Sequence, residues 1–129
     1  VKAIEIDALE RVFSKISSLT LEGKRQVKFT FVAVSSKTNV RFFLSTSQPG
    51  QPPVMKNPEA GTVVDTAEMA FQDIPSFYLI SQHVGKGTAV PTQFVVLHDT
   101  GQISPNVLQL LSYRLSYLYY NCTCSIRSP

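Results

Sequence analysis

Two short apolar runs, SFYLIS over 76 to 81 and TQFVVLHD over 92 to 99, constrain this chain more than any other feature. Their centres, FYLI and FVVL, show no polar alternation, so each reads as a strand buried on both faces and not as a half-solvated one. A sheet built on such strands needs a layer on either side. The sequence offers two helices for that purpose. Ile6, Leu9, Val12, Phe13 and Ile16 recur at spacings of three and four with charged residues between them, which predicts an amphipathic helix over residues 2 to 17. Later, Ser104 stands ready to cap a helix whose first position is Pro105, a residue already set to the entering dihedral. Over 105 to 120 that helix carries one stripe of Leu108, Leu111, Leu115 and Leu118 and another of Tyr113, Tyr117 and Tyr120, so much of its circumference is apolar. The fold class is therefore α/β, a sheet flanked by helices.

Three more segments belong to the sheet. QVKFTFVAVS (26 to 35) begins as alternation and becomes an apolar run, the turn residues Ser36-Lys37-Thr38-Asn39 follow, and VRFFL (40 to 44) returns, which predicts a hairpin. TVVD (62 to 65) is a short strand. Between them, residues 45 to 61 hold four prolines and two glycines, and the expectation there is a long loop without helix or central strand. Loops of that length often face a partner.

At 129 residues the chain is the size of one domain. It is 43% apolar and only 16% charged, less charged than a typical soluble domain at roughly a quarter, and five strands with only terminal helices leave one sheet face thinly covered. The expectation is a piece of something larger. The net charge of +3 is unevenly placed: Lys24, Arg25, Lys28, Lys37 and Arg41 occur with no acidic residue between positions 24 and 41. Such a face suits a polyanion, or alternatively a solvated edge strand guarded by lysines. No run approaches the roughly 18 apolar residues of a membrane span, and no membrane partner is expected. Cys122 and Cys124, one residue apart, form a poor disulfide framework, so a reducing interior is expected: the cytoplasm, with the nucleus as second compartment.

The stretch HVGKGTAVPT (83 to 92) invites a nucleotide reading that fails. A P-loop needs two glycines five apart and a following helix, whereas Lys86 sits between its glycines and a strand follows. Asp65 and Glu68 after TVVD are the only carboxylate pair that suggests a metal nuclease, and a strand-end Asp with a nearby Glu is the simpler account. The two cysteines and two histidines, His83 and His98, show neither zinc spacing nor a nucleophile and base pairing. Binding is better supported. Lys37 and Arg41 flank a turn, and Lys86 lies in a glycine-flanked loop beside the Thr88 hydroxyl, a combination of cations and free backbone donors that suits phosphates.

In order along the chain, VAVSSKTNVRFF, NPEAGTVVDTAEM, SFYLISQHVGKGTAVPTQFVVLHD and LQLLSYRLSYLYYNCTCSIRSP resemble the PIWI domain of the Argonaute/PIWI family across essentially all 129 residues. The resemblance implies the C-terminal half of an RNase H-like fold with a central mixed sheet, one partial domain over 1 to 129. It implies a small guide RNA as partner, with target RNA and the remainder of an Argonaute/PIWI chain. By position, Lys37 and Arg41 match a basic turn touching guide phosphates, Gln82, Lys86 and Thr88 a loop along the seed backbone, and Tyr119 and Asn121 residues near the guide's 5′ end. Ser36 stands where many members carry lysine, Val90 and Asn121 where members carry arginine, so binding should be weaker, with a salt slope shallower by about 0.7 per missing contact. The family's slicing site, rich in carboxylates and binding Mg²⁺, matches no position here. Its third acidic position falls before residue 2 and its last after 129, so no cofactor and no catalytic residue is assigned to this chain, and Asp65 is not one of those positions. A second reading makes the proline-rich segment 45 to 60 a scaffold surface for a protein partner.

Overall fold

A computed structural model describes residues 2 to 19, 27 to 47, 49 to 65 and 74 to 128. The elements are α1 (Lys2–Leu19), β1 (Thr30–Ser35), β2 (Leu44–Thr46), β3 (Val54–Lys56), β4 (Thr62–Val64), β5 (Ser76–Ile80), β6 (Thr92–Asp99) and α2 (Pro105–Leu115). Four strands form one sheet in the order β1-β6-β5-β4, and the three pairings in it are antiparallel. β5 is buried along its whole length, as an unbroken apolar run requires.

The core lies on the face of the sheet under α2. Phe77, Leu79 and Phe94 point to Leu108 there, with Val32, Val63, Val96, Ile103 and Tyr113 packed around them. Phe77 and Phe94 are cross-strand partners whose rings stack at 4.9 Å and 1°. Each such side chain removed from water contributes about 1.5–3 kcal/mol, so this layer dominates the stability of the piece.

The predicted hairpin of 26 to 35 with 40 to 44 does not form. β1 pairs instead with β6 over six residues, Thr30 opposite Asp99 to Ser35 opposite Gln93, with Leu97 of β6 left over as a bulge between the partners of Phe31 and Val32. The eight-residue β6 offers β1 a longer ladder than five residues could. Residues 40 to 43 run outside any ladder, and Phe42 packs edge-on against Tyr78 at 5.5 Å on the sheet face away from α2. The 45 to 61 segment is not a plain loop either. β2 and β3 pair through Leu44–Lys56, Ser45–Met55 and Thr46–Val54. Pro49, Pro52 and Pro53 all fall in the connection, where their missing N–H groups break no ladder, and Gly50 turns with φ +84. No central strand persists there, as expected.

α2 ends at Leu115 and not at 120. The N–H groups of Ser116, Tyr117 and Leu118 tighten onto carbonyls three residues back, and the returning tail claims the Ser116 carbonyl through Ile126 N at 2.8 Å. Pro105 opens the helix as expected, but the Ser104 side chain makes no capping bond. The turn before α2 is fixed by Asp99: Oδ1 accepts Thr30 Oγ1 (2.8 Å) and Gly101 N (3.0 Å), and Oδ2 accepts Ile103 N (2.8 Å). α1 is held by an aromatic chain, Phe13 to Phe29 at 5.0 Å and Phe29 to His98 at 5.1 Å. His98 Nε2 also lies 3.3 Å from Glu10 Oε1, at an angle that makes no hydrogen bond.

Several apolar side chains of the helices are uncovered. Val12 of α1 and Val107, Leu110 and Leu111 of α2 are exposed, and beyond α2 Leu118 and Tyr120 are 73% and 89% exposed.

Candidate nucleic-acid interface

The basic turn after β1 is built to stand still. Arg41 Nη1 donates to the carbonyls of Thr38 and Val40, both at 2.7 Å, closing the 38 to 41 backbone around its own guanidinium. Two further bonds anchor the turn. Thr38 Oγ1 donates to the Pro91 carbonyl at 3.4 Å, and Arg127 Nη2 donates to the Ser36 carbonyl. Lys37 and Arg41 remain exposed.

The glycine-flanked loop between β5 and β6 has its own clamp. Asn57, just before Pro58, reaches across with both ends of its amide: Nδ2 donates to the Gly87 carbonyl at 2.8 Å and the Val84 carbonyl at 3.4 Å, while Oδ1 accepts Ala89 N at 3.0 Å. Gly87 holds φ +86, a left-handed conformation that a side chain would strain. Lys86 and Thr88 are exposed on this clamped loop, and Ala89 is buried.

The two loops meet at the C-terminal tail. Gln82 Nε2 donates to the Ser125 carbonyl at 2.9 Å and Ser125 Oγ donates to the Ser81 carbonyl at 2.6 Å. The single Ser81 hydroxyl proton is shared between the carbonyls of Ile126 and Arg127, each at 2.8 Å, and Thr92 Oγ1 donates to the Arg127 carbonyl at 2.8 Å. The tail is thus sewn to the ends of β5 and β6, and its Arg127 side chain crosses to the basic turn. A cavity of about 150 Å³ opens between these parts, lined by Gln82, Thr88, Ala89 and Arg127 among others.

Of the seven residues read from the sequence, Lys37, Arg41, Gln82, Lys86 and Thr88 therefore lie on two loops tied to one tail. Tyr119 and Asn121 are exposed in the turn after α2, and no described hydrogen bond or ring contact joins them to either loop; the Tyr119 ring packs on Tyr120 at 5.9 Å. Asn57 and Arg127 were missed. An Asn fixed by a following proline is a signal for such a bracket, whereas an isolated Arg near the end of the chain gives none.

The alternative chemistry does not assemble among the described residues. Asp65 Oδ2 accepts Gln109 Nε2 at 2.5 Å, and Glu68 lies outside the described residues. No three His, Cys, Asp or Glu side chains gather, and Cys122 and Cys124 are free thiols with no described contact to a histidine. Two titrations are displaced. The Thr30 hydroxyl, with the N–H groups of Ile103, Gly101 and Gln102, holds the Asp99 carboxyl below its ordinary value against the opposing pull of partial burial. The 2.7 Å bond between the Tyr113 and Tyr117 hydroxyls, together with burial, pushes Tyr113 up.

A layered α/β sheet with its loops gathered at one end of β5 and β6 is the architecture of a partial RNase H-like domain. It superposes on Drosophila Piwi with a TM-score of 0.76 at 29% identity, over 97% of this chain and 16% of that one. The Kluyveromyces polysporus Argonaute solved with a guide RNA gives 0.77 at 25% identity, again over 97% and 16%. Among sequences, Bombyx mori Siwi is 36% identical over 104 residues, 81% of this chain and 11% of that protein, and Bombyx mori Ago3 is 37% identical over 115 residues, 89% and 12%. The Piwi domain pattern matches residues 1 to 129, and the chain belongs to that family. It spans only about a tenth of the length of these two relatives.

Proposed function

We propose that this chain supplies the C-terminal portion of a PIWI domain and grips the sugar-phosphate backbone of a small guide RNA. The observation that carries the reading is the tail from Ser125 to Arg127, which ties the turn bearing Lys37 and Arg41 to the loop bearing Lys86 and Thr88. Cations and hydroxyls on loops held this firmly meet phosphates without first losing loop entropy. The guide RNA in the Kluyveromyces Argonaute supports the choice of ligand. Target RNA then reaches this surface through the guide, and the bare apolar face of α2 is where other parts of an Argonaute/PIWI chain belong. The setting is the cytoplasm or nucleus.

Cleavage is assigned to residues other than these. A divalent ion needs several oxygen donors held together; among the described residues Asp65 is bonded to Gln109 and no three His, Cys, Asp or Glu side chains gather, so none of them is assigned to holding Mg²⁺. The exposed β2–β3 hairpin, with Leu44, Val54 and Met55 uncovered, favours the protein-scaffold reading as the alternative. The triple change Lys37→Glu, Arg41→Glu, Lys86→Glu separates the two. Fluorescence anisotropy with a labelled single-stranded RNA should show binding abolished; unchanged affinity overturns the guide reading and leaves the hairpin as the working surface.

A further inference from the structure

A second cavity, about 270 Å³, lies at the far end of β5 and β6 from the basic loops. Residues 81 to 91 join the end of β5 to the start of β6, whereas this cavity is lined by the start of β5, the end of β6 and the first turns of α2. Phe77, Val96, Ile103 and Leu108 form its apolar walls, and Asp65 and Asp99 supply its charge. No described lysine, arginine or histidine lines it, in a chain of net charge +3. Phe77 and Leu108 are buried and Asp65 is exposed, so the apolar floor is reached from solvent past a carboxylate.

We propose that this cavity receives one lysine side chain of a protein partner, its stem along the apolar walls and its ammonium at Asp65. Size sets the first limit. Sites for whole small molecules usually run from roughly 300 to 1,000 Å³, whereas about 270 Å³ suits one long side chain. Charge sets the second. An anion would meet two carboxylates and no cation, and a wholly apolar guest would leave the Asp65 carboxylate unanswered. A cation on a flexible hydrocarbon stem fits both the walls and the rim. Asp99 adds to the negative field, because the Thr30 hydroxyl and the N–H groups of Ile103, Gly101 and Gln102 hold its carboxyl below the ordinary value. Its oxygens are already engaged by Thr30, Gly101 and Ile103, so Asp65 makes the contact. Asp65 also selects lysine over arginine. Its Oδ2 accepts Gln109 Nε2 at 2.5 Å, which denies a two-pronged guanidinium its open pair of oxygens, whereas an ammonium needs only a point contact. The site is independent of the guide-backbone reading. It lies at the opposite end of β5 and β6 from Lys86 and Thr88, so RNA and a lysine-bearing segment bind together.

The test titrates three end-blocked tripeptides into the chain, with lysine, arginine or the neutral norleucine between two alanines, and follows backbone amide shifts by NMR. The lysine peptide should move the amides around the cavity, those of Ser76, Val96, Ile103 and Gln109, with a dissociation constant on the order of millimolar for so small a ligand. The norleucine peptide should bind roughly tenfold more weakly, the scale of one charged hydrogen bond, and the arginine peptide more weakly than lysine. Asp65→Asn, whose amide oxygen still accepts from Gln109, should erase the preference for lysine over norleucine and keep the melting temperature. Gln109→Leu releases Oδ2 and should strengthen lysine binding. Saturating single-stranded RNA should leave the lysine constant unchanged. Equal binding of lysine and norleucine, tighter binding of arginine, or shifts that avoid the cavity would each overturn the proposal. If Asp65→Asn does not fold, Gln109→Leu decides, and weaker lysine binding there overturns it. Displacement of the peptide by RNA would refute two separate sites, whereas failure of RNA binding alone sinks the guide reading and leaves the lysine site standing.

Discussion

Replacing Asn57 by Ala removes the bracket on the 84 to 89 loop without touching a cation. Three bonds go: Nδ2 to the carbonyls of Gly87 (2.8 Å) and Val84 (3.4 Å), and Ala89 N to Oδ1 (3.0 Å). The carbonyl of exposed Gly87 regains water, so its loss should count for little beyond the ordinary 0.5–1.5 kcal/mol of a net bond, and the long Val84 contact for less. Ala89 is 1% exposed, and stranding its N–H costs about 1–3 kcal/mol. The total is about 2–4 kcal/mol by the same reasoning, concentrated in one loop. Hydrogen exchange should show the amides of residues 84 to 89 opening while those of β5 and β6 hold. RNA affinity should fall several-fold, because Lys86 and Thr88 must then be ordered at the moment of binding. The comparison variant is Val63→Ala, which weakens the core by a similar amount away from the loop. If Asn57→Ala and Val63→Ala weaken RNA binding equally, or if the loop amides exchange as in wild type, the bracket is not what presents Lys86.

Other expectations follow from single contacts. Gly61→Ala sets a Cβ 3.2 Å from Tyr113 Cζ at φ +92, so thermal unfolding should show a loss of about 1–3 kcal/mol; an unchanged melting temperature would remove that strain. The folded-state titration of Asp99 lies below its unfolded one, so its stabilising contribution is present above the ordinary carboxylate value and is lost as pH falls through the folded one. Thr30→Val should flatten that acid limb of the stability profile, and an unaltered limb would show that the Thr30 hydroxyl is not the cause. Tyr113 is shifted the other way: its contribution is complete below the unfolded value and declines as pH rises through the folded one, and Tyr117→Phe should reduce the decline in denaturation measured at alkaline pH.

Much of the fold was legible because its signals are local. FYLI and FVVL announce strands by composition alone, and β6 has the predicted bounds; β5 is buried throughout as expected, whereas in β6 only Thr92 and Phe94 are fully buried. Pro105 marks the start of α2. What failed was long-range. Nothing within positions 26 to 44 says that β1 prefers β6, more than fifty residues away, to its sequence neighbour. Four prolines concealed the β2–β3 pairing because their composition argues against strands, whereas what matters is placement: Pro49, Pro52 and Pro53 lie in the connection and Pro58 beyond β3. The end of α2 is set by the tail that returns to the Ser116 carbonyl, an event no helical periodicity contains. The site divides the same way. Cations in turns can be read directly, so the exposed placement of Lys37, Arg41 and Lys86 on loops was legible. Asn57 and Arg127 act by reaching other loops, and only the folded chain shows that they do.

Amide exchange of the chain with and without a single-stranded guide RNA asks the central question most directly. New protection should appear in residues 36 to 41 and 82 to 91 together, with α1 and the β2–β3 hairpin unchanged. Protection confined to residues 44 to 56, or to only one of the two loops, would contradict the account.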